Sequence, residues 1–324
     1  MADAAPLLEV EGLTTALVGT GATILEDVRF AIEEGETLCV VGESGSGKSM
    51  LALAIMGLLP PAIGITGGAI RLNGQDLTQL APADWRERRG RDLAMIFQEP
   101  MTALNPVMRA GPQVAEVLRK RRGMAEAAAR AESLRLFARV GIPSPGQRFH
   151  AYPHELSGGL RQRVMIAIAL AAEARLLLAD EPTTALDVTI QAQILDLLRD
   201  LKRERALGLI LITHDLGVVA EMADRVLVLY AGRTAEVAPA SPLFDDPLHP
   251  YTRALLGSIP GLEGPRARLV AIDGTVPPVG AMPAGCRFRP RCALAEARCA
   301  SVPKLAFQAP GHAAACWVTA PVPA

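Results

Sequence analysis

The stretch GESGSGKS at 42–49 decides how the rest of the chain is read. It follows TLCVVG (37–42), a short β-branched run ending in glycine, and opens into the apolar, helix-forming SMLALAIMGLL. Strand, glycine-rich loop and helix in that order match the phosphate-loop pattern in full. Successive backbone N–H groups from Glu43 to Ser49 would converge on phosphate oxygens, aided by the positive end of the helix dipole. Lys48 would reach the β- and γ-phosphates, and the Ser49 hydroxyl would ligate Mg²⁺. The candidate nucleotide-binding residues here are therefore Gly42, Glu43, Ser44, Gly45, Ser46, Gly47, Lys48, Ser49 and Met50. An ordinary glycine-rich turn would account for the glycines, but not for their place between a strand and a helix.

A second acidic element narrows the choice among phosphate-loop proteins. RLLLADEPT (175–183) ends an apolar strand with adjacent carboxylates that can divide the work. Asp180 at the strand terminus would hold Mg²⁺ through its water shell, and Glu181 would polarise an attacking water as general base. A charge cluster at a helix N-terminus would explain the position of the pair, but not the phosphate loop that accompanies it. RLLLAD and LGLILITHD (207–215) are continuous apolar runs of the kind expected of central parallel strands. Between them and the phosphate loop, QVAEVLRKRR and MAEAAARAESLRLFARVGI read as two helices inserted between strands. VLVLYAGRTAEVA (226–238) reads as a hairpin turning at Ala231, Gly232 and Arg233.

The chain has 324 residues, 33 Lys+Arg against 34 Asp+Glu, and half of its residues are hydrophobic. That length accommodates one large domain or two moderate ones. Near-neutral charge removes the electrostatic argument for a dedicated nucleic-acid binder. The longest apolar stretches, LALAIMGLLPPAIGI and VMIAIALAA, are shorter than the roughly 18–20 residues needed to span a bilayer. The start MADAAPLLEVEG has no basic segment followed by an apolar core, so no secretory signal is expected, and the cytosol is the default compartment. More than half of the 25 prolines and four of the five cysteines lie after Val237, which places a boundary near Pro239.

HELSGGLRQRV (154–164) carries LSGG, and with the motifs around it the chain resembles the ATP-binding cassette proteins. Ser157 is a natural N-cap, Gly158 and Gly159 permit close backbone approach, and LRQRVMIAIALAA continues as helix. The resemblance implies that the LSGG of one subunit caps the γ-phosphate held by another, two ATP molecules being sandwiched in a head-to-tail dimer. It makes Gln98 in MIFQEP the glutamine that senses Mg²⁺ and the lytic water, Thr184 to Asp187 the loop that communicates across the dimer, and His214 the residue that contacts the γ-phosphate and positions Glu181. Gln98 then joins Ser49 and Asp180 around Mg²⁺, and Asp187 joins the nucleotide-binding set. The implied fold is α/β over 1–238, with a RecA-like core, an antiparallel β subdomain and an inserted α-helical subdomain at about 99–165. A Pro/Cys-rich extension follows at 239–324. One departure stands out: the segment 13–24 (LTTALVGTGATI) lacks the aromatic residue that stacks on adenine in the family, leaving Leu17 or its neighbours to pack the base.

The tail narrows the resemblance. PLHPYTRALLGSIP (247–260) and GCRFRPRC (285–292) are similar to the C-terminal region of ATPase subunits of oligopeptide, dipeptide and nickel importers. Cys286, Cys292, Cys299 and Cys316 suggest a metal centre, because soft thiolates select zinc or iron–sulfur clusters. Their spacing matches neither a CxxC zinc ribbon nor a bacterial ferredoxin run, so it does not choose the metal, and unligated thiols remain a third reading. The resemblance favours [4Fe-4S] over Zn²⁺. Arg287, Arg289 and Arg291 would offset cluster charge or form a solvated edge. Cys39, inside an apolar strand, reads as a small core hydrophobe.

The expected function is an ATPase subunit that energises import of peptides or related small solutes. The resemblance implies as partners a second nucleotide-binding subunit, two membrane-spanning permease subunits and an extracytoplasmic solute-binding protein. It places the chain peripherally on the cytoplasmic face of the cell membrane. The alternative is a non-transport cassette ATPase acting on nucleic acid or ribosomes. A chromosome ATPase would carry a long coiled coil between phosphate loop and LSGG, where only 109 residues separate Lys48 from Ser157. A ribosome factor would carry two cassettes.

Overall fold

The structure, a computed structural model, describes residues 5–183, 188–258 and 272–319. The chain divides into two units, one of Met1–Glu33, Thr37–Gln79 and Ile212–Ala324, the other of Glu34–Glu36 and Leu80–Leu211.

In the first unit an antiparallel sheet runs in the order Thr23–Ile32, Leu8–Leu17, Ile63–Leu72, Gln75–Asp76. Leu8, Val10 and Leu13 of its inner strand are buried, and the register with Thr23–Ile32 slips between Val10 and Leu13. That irregularity is what keeps Leu13 on the core face despite its odd spacing. The same unit sets Thr37–Val41 in parallel beside Arg225–Tyr230. Every residue of Thr37–Val41, Cys39 included, is buried, which is why it reads as an unbroken apolar run.

Arg225–Tyr230 and Arg233–Pro239 form the expected hairpin. Its turn uses Ala231 and Gly232 at φ of 47° and 82°, the left-handed values a two-residue hairpin turn needs. A Cβ at Gly232 would meet the Ile24 carbonyl oxygen at 1.8 Å, so no other residue fits. The Gly232 N–H donates to the Ser46 carbonyl at 2.8 Å, and its own carbonyl accepts from Glu26 N at 2.8 Å.

The tail is more ordered than its proline content suggests. Ala306–Ala309 pairs with His312–Ala314, and His312–Ala314 adds itself to the hairpin with Glu236 opposite Ala314 and Val237 opposite Ala313. Glu236, wholly buried, is satisfied by Leu248 N, His249 N and His312 Nε2 at 2.8, 2.8 and 2.7 Å. His249 Nδ1 accepts from Tyr251 N at 3.0 Å and caps the helix Pro250–Gly257. Burial pushes this imidazole down to about 4, so it is neutral, as an acceptor must be.

In the second unit Leu93–Ile96 lies parallel to Leu176–Asp180, with Gly208–Ile212 completing the order Gly208–Ile212, Leu176–Asp180, Leu93–Ile96. All three strands are buried along their length. The expected pair of helices is present as Ala110–Arg122 and Glu126–Arg139, separated at Gly123, whose φ of 64° ends the first. The run RKRR (119–122) is its exposed last turn, where positive charge complements the helix dipole. Gly158–Ala171 is buried along most of its length, Val164 to Ala167 without a break.

Candidate nucleotide-binding site

In the first unit the phosphate loop connects the buried strand Thr37–Val41 to the helix Lys48–Ile55. Gly42 has a φ of 149°, and a Cβ there would meet the Leu229 carbonyl oxygen at 2.2 Å, so the hairpin backbone fixes this position as glycine. The helix starts at Gly47, which offers no side-chain cap, leaving first-turn N–H groups directed out of the helix end. Lys48 is buried, and its Nζ donates to the carbonyls of Gly42 at 2.8 Å and Glu43 at 3.0 Å, folding the cation over the loop's own mouth. Ser44 and Gly45 are exposed, while Ser49 and Met50 are half-buried in the first helical turn. Ser46 is wholly buried, and its hydroxyl has no hydrogen-bond partner among the described residues.

Glu43 behaves differently from expectation. Its N–H donates to Tyr251 Oη at 2.8 Å, so the tail, and not an open cradle, holds that donor. The Ser46 N–H is also engaged, donating to the Glu43 carbonyl at 3.1 Å. A tyrosine 208 residues away leaves no local mark in the loop sequence.

His214, in the same unit, is exposed just beyond the strand Gly208–Ile212. Its turn is fixed by Asp215, whose carboxylate caps Leu216–Met222 by accepting from Gly217 N at 2.9 Å and Val218 N at 3.3 Å. In the 13–24 segment Leu17 is half-buried, and Val18 is 68% exposed, a solvent-facing apolar group next to the residue expected to pack adenine.

The second unit brings Gln98 and Glu181 together. Ile96 and Ala179 are opposed in the parallel pair, so residues two further on emerge side by side from the same end of the strands. Gln98 Nε2 donates to Glu181 Oε2 at 3.2 Å. Glu181 adopts a φ of 48°, unusual for a non-glycine residue, which bends the chain sharply after the strand. Asp180, immediately before it, is 4% exposed at the strand terminus.

Ser157 caps Gly158–Ala171 through its hydroxyl, which accepts from Leu160 N at 3.4 Å. Ser157 and Gly158 are exposed and Gly159 half-buried, so the LSGG helix presents its N-terminus to solvent. Gln162, one turn on, escaped the sequence reading. It is 2% exposed and its Nε2 donates to the Pro182 carbonyl at 2.7 Å, tying the LSGG helix to the residue after Glu181. The only sequence signal was a polar residue on the face that becomes buried. The expected communicating loop, Thr184 to Asp187, lies outside the described residues.

Ser49 in the first unit carries a hydroxyl oxygen, and Gln98 and Asp180 in the second carry an amide and a carboxylate oxygen, each of the donor type Mg²⁺ selects. The tail thiols are a different matter. Cys299 and Cys316 are buried, Cys286 and Cys292 half-buried, and no disulfide joins them. Burial pushes the Cys286 and Cys292 thiols up, and Cys299 and Cys316 act on both electrostatically in the same direction. Among the described residues no group of three or more His, Cys, Asp or Glu side chains is placed to hold a metal ion. The geometry therefore lends no support to zinc or iron–sulfur. Nor is the arginine run a solvated edge: the Arg287 and Arg291 side chains are each 5% exposed and paired with Glu26 and Glu43.

The glycine-rich loop between strand and helix, with Lys48 folded over it, defines the class as a phosphate-loop nucleotide-binding protein. Residues 25–184 match the ABC transporter family, and 235–299 match the oligopeptide/dipeptide transporter C-terminal region. The chain is 47% identical over 316 residues to the dipeptide transport ATP-binding protein DppD of Bacillus subtilis, spanning 96% of this chain and 94% of that one. It is 48% identical over 313 residues to the oligopeptide transport ATP-binding protein OppD of Salmonella typhimurium, with 96% and 93% covered. The dimeric structure of a post-hydrolysis ATP-binding cassette bound to ADP and Pi is similar at a TM-score of 0.66 and 29% identity, covering 72% of this chain and 98% of that one. The chain belongs to the ABC transporter family and is an ATPase of that family.

Proposed function

We propose that the protein is the ATP-hydrolysing subunit of an importer for peptides or closely related solutes. The observation that carries the reading is the tail: the oligopeptide/dipeptide C-terminal region follows the cassette in one chain, and identity to the two named peptide-transport relatives runs through both. In this reading Lys48 and the loop N–H groups other than those of Glu43 and Ser46 hold the triphosphate. Ser49 and Asp180, with Gln98, would hold Mg²⁺, which would supply charge neutralisation for the triphosphate. Glu181 accepts a proton from the attacking water as its oxygen bonds to the γ-phosphorus. The bond from that phosphorus to the β-phosphate oxygen breaks, and ADP and phosphate leave. The Gln98 amide aims the carboxylate through the bond to Oε2. His214 contacts the γ-phosphate.

The exposed Ser157–Gly158 helix end is then the surface offered to a second subunit's nucleotide, giving a dimer with ATP held by one chain's loop and the other's LSGG. No helix among the described residues is long and apolar enough to cross a membrane, so the pathway for cargo belongs to permease partners at the cytoplasmic face, with an extracytoplasmic binding protein choosing the cargo. Affinity purification of the native chain from mildly solubilised membranes is expected to bring down two integral membrane proteins. Recovery with RNA or ribosomes and without membrane proteins would reject the assignment.

The four tail cysteines carry a finer reading, an iron–sulfur cluster ligated by Cys286, Cys292, Cys299 and Cys316. Number and type of ligand support it, and no step of the ATPase runs through it. Protein purified without oxygen is expected to be brown and to contain about four iron and four sulfide per chain. Colourless protein with one zinc, or with no metal, rules it out.

A further inference from the structure

The CRFRPRC segment holds the phosphate loop directly at Glu43 and the neighbouring hairpin turn at Ala231. Arg291 forms a two-pronged ion pair with Glu43, Nη1 to Oε2 at 2.7 Å and Nη2 to Oε1 at 2.9 Å. Its remaining donors go to the carbonyls of Asp273 at 2.7 Å, Ile272 at 3.1 Å and Gly274 at 3.3 Å, and to Tyr230 Oη at 3.3 Å. A guanidinium so completely engaged is a fixed part of the fold, unlike a solvated surface arginine. Tyr251 holds the same loop residue by its backbone N–H. Further along, Arg287 donates to the Ala231 carbonyl and pairs with Glu26, while Arg233 reaches back to the Gly285 carbonyl at 3.2 Å. The turn so gripped is the one whose Gly232 N–H bonds the Ser46 carbonyl. Tyr230, Tyr251 and Phe288 pack between the two grips with ring centroids 4.6, 5.1 and 5.3 Å apart, leaving little slack.

We propose that the C-terminal tail is a strap on the phosphate loop, in which Arg291 and Tyr251 are positioning residues acting on ATP through Glu43. The inference deepens the ATPase assignment and rests on residues 42–49 being the ATP loop. Its physical core is a conflict of charge. A carboxylate at the second position of a loop that receives a polyphosphate repels the ligand unless a cation neutralises it. Arg291 is that cation, and it arrives from a segment 248 residues away. Removing it leaves a bare carboxylate on the loop as well as a looser backbone. Removing the carboxylate too eliminates the repulsion.

The test is nucleotide binding to the full chain, read with a fluorescent ATP analogue and, in parallel, with adenosine. Arg291→Ala is expected to weaken the ATP analogue about tenfold, the equivalent of one charge-assisted hydrogen bond, and to change adenosine binding little. Adding Glu43→Gln to Arg291→Ala is expected to restore affinity to within about threefold of the parent. Because a structural lesion would not be rescued by a second substitution, the recovery isolates charge from folding. Tyr251→Phe keeps the ring and removes the hydroxyl, and is expected to raise the KM for ATP about threefold with kcat nearly unchanged. Unaltered ATP affinity in Arg291→Ala, equal losses for ATP and adenosine, or a double variant no better than the single one overturns the strap. Lys48→Ala separates the two levels. If it weakens binding while the Glu43 and Arg291 variants do nothing, the strap alone fails; if it too binds normally, the loop assignment fails with it.

Discussion

Replacing Glu181 with Gln lowers ATP turnover by about 10²–10⁴-fold, the range that a positioned general base contributes. The substitution is close to isosteric, so the left-handed turn at φ 48° and the strand before it are retained. What changes is the chemistry of the oxygen that faces water: a carboxylate accepts a proton, and a neutral amide does not. In transition-state terms the loss is about 3–5 kcal/mol of barrier at 1.36 kcal/mol per tenfold. Gln98 donates to Glu181 Oε2 at 3.2 Å, and an amide at 181 preserves an acceptor for that donor if its carbonyl oxygen takes the place of Oε2. Binding of ATP is therefore expected to survive. ATP is then expected to accumulate uncleaved and to hold the proposed dimer closed. Phosphate release and size-exclusion chromatography in ATP and Mg²⁺ check both halves. A variant that turns over within threefold of the parent removes Glu181 from the base role.

Lys48→Ala weakens ATP binding by about ten- to a hundredfold, the worth of a hydrogen bond to a charged group at roughly 1.5–3 kcal/mol. The cation has a second task. With Nζ on the carbonyls of Gly42 and Glu43, it ties the loop's entry to the start of its helix, so its loss also slackens the cradle. Lys48→Arg is not a conservative control. At 7% exposure the site has no room for a planar guanidinium, and a fork of donors cannot reproduce a compact ammonium. Both variants are expected to fall in the same titration, alanine further. Retained affinity in the alanine variant would sink the phosphate-loop assignment.

Much of this site was legible because its signals are local. The phosphate loop, LSGG and the 180–181 pair are each written in fewer than ten residues, and each depends on a strand or helix terminus that apolar periodicity reveals. The 226–238 hairpin was equally plain, since a glycine sits where the turn needs positive φ. What stayed hidden is what long-range pairing decides. Arg291 looked like one of three alternate arginines, yet its side chain is buried against Glu43, whereas Arg289 between the two buried arginines is exposed. The strands AFQA and HAA have little β-propensity and form because the edge of Arg233–Pro239 is available to them. Gln162 shows the same limit, since a glutamine on a helix names no partner until Pro182 is folded against it.

The turn at Gly232 has a consequence for genetics. One added methyl there drives into the Ile24 carbonyl and at the same time displaces the N–H that steadies Ser46. A random screen for alleles that abolish transport should therefore recover lesions at 232 as readily as within the loop itself, although this position lies 186 residues downstream of the serine it supports.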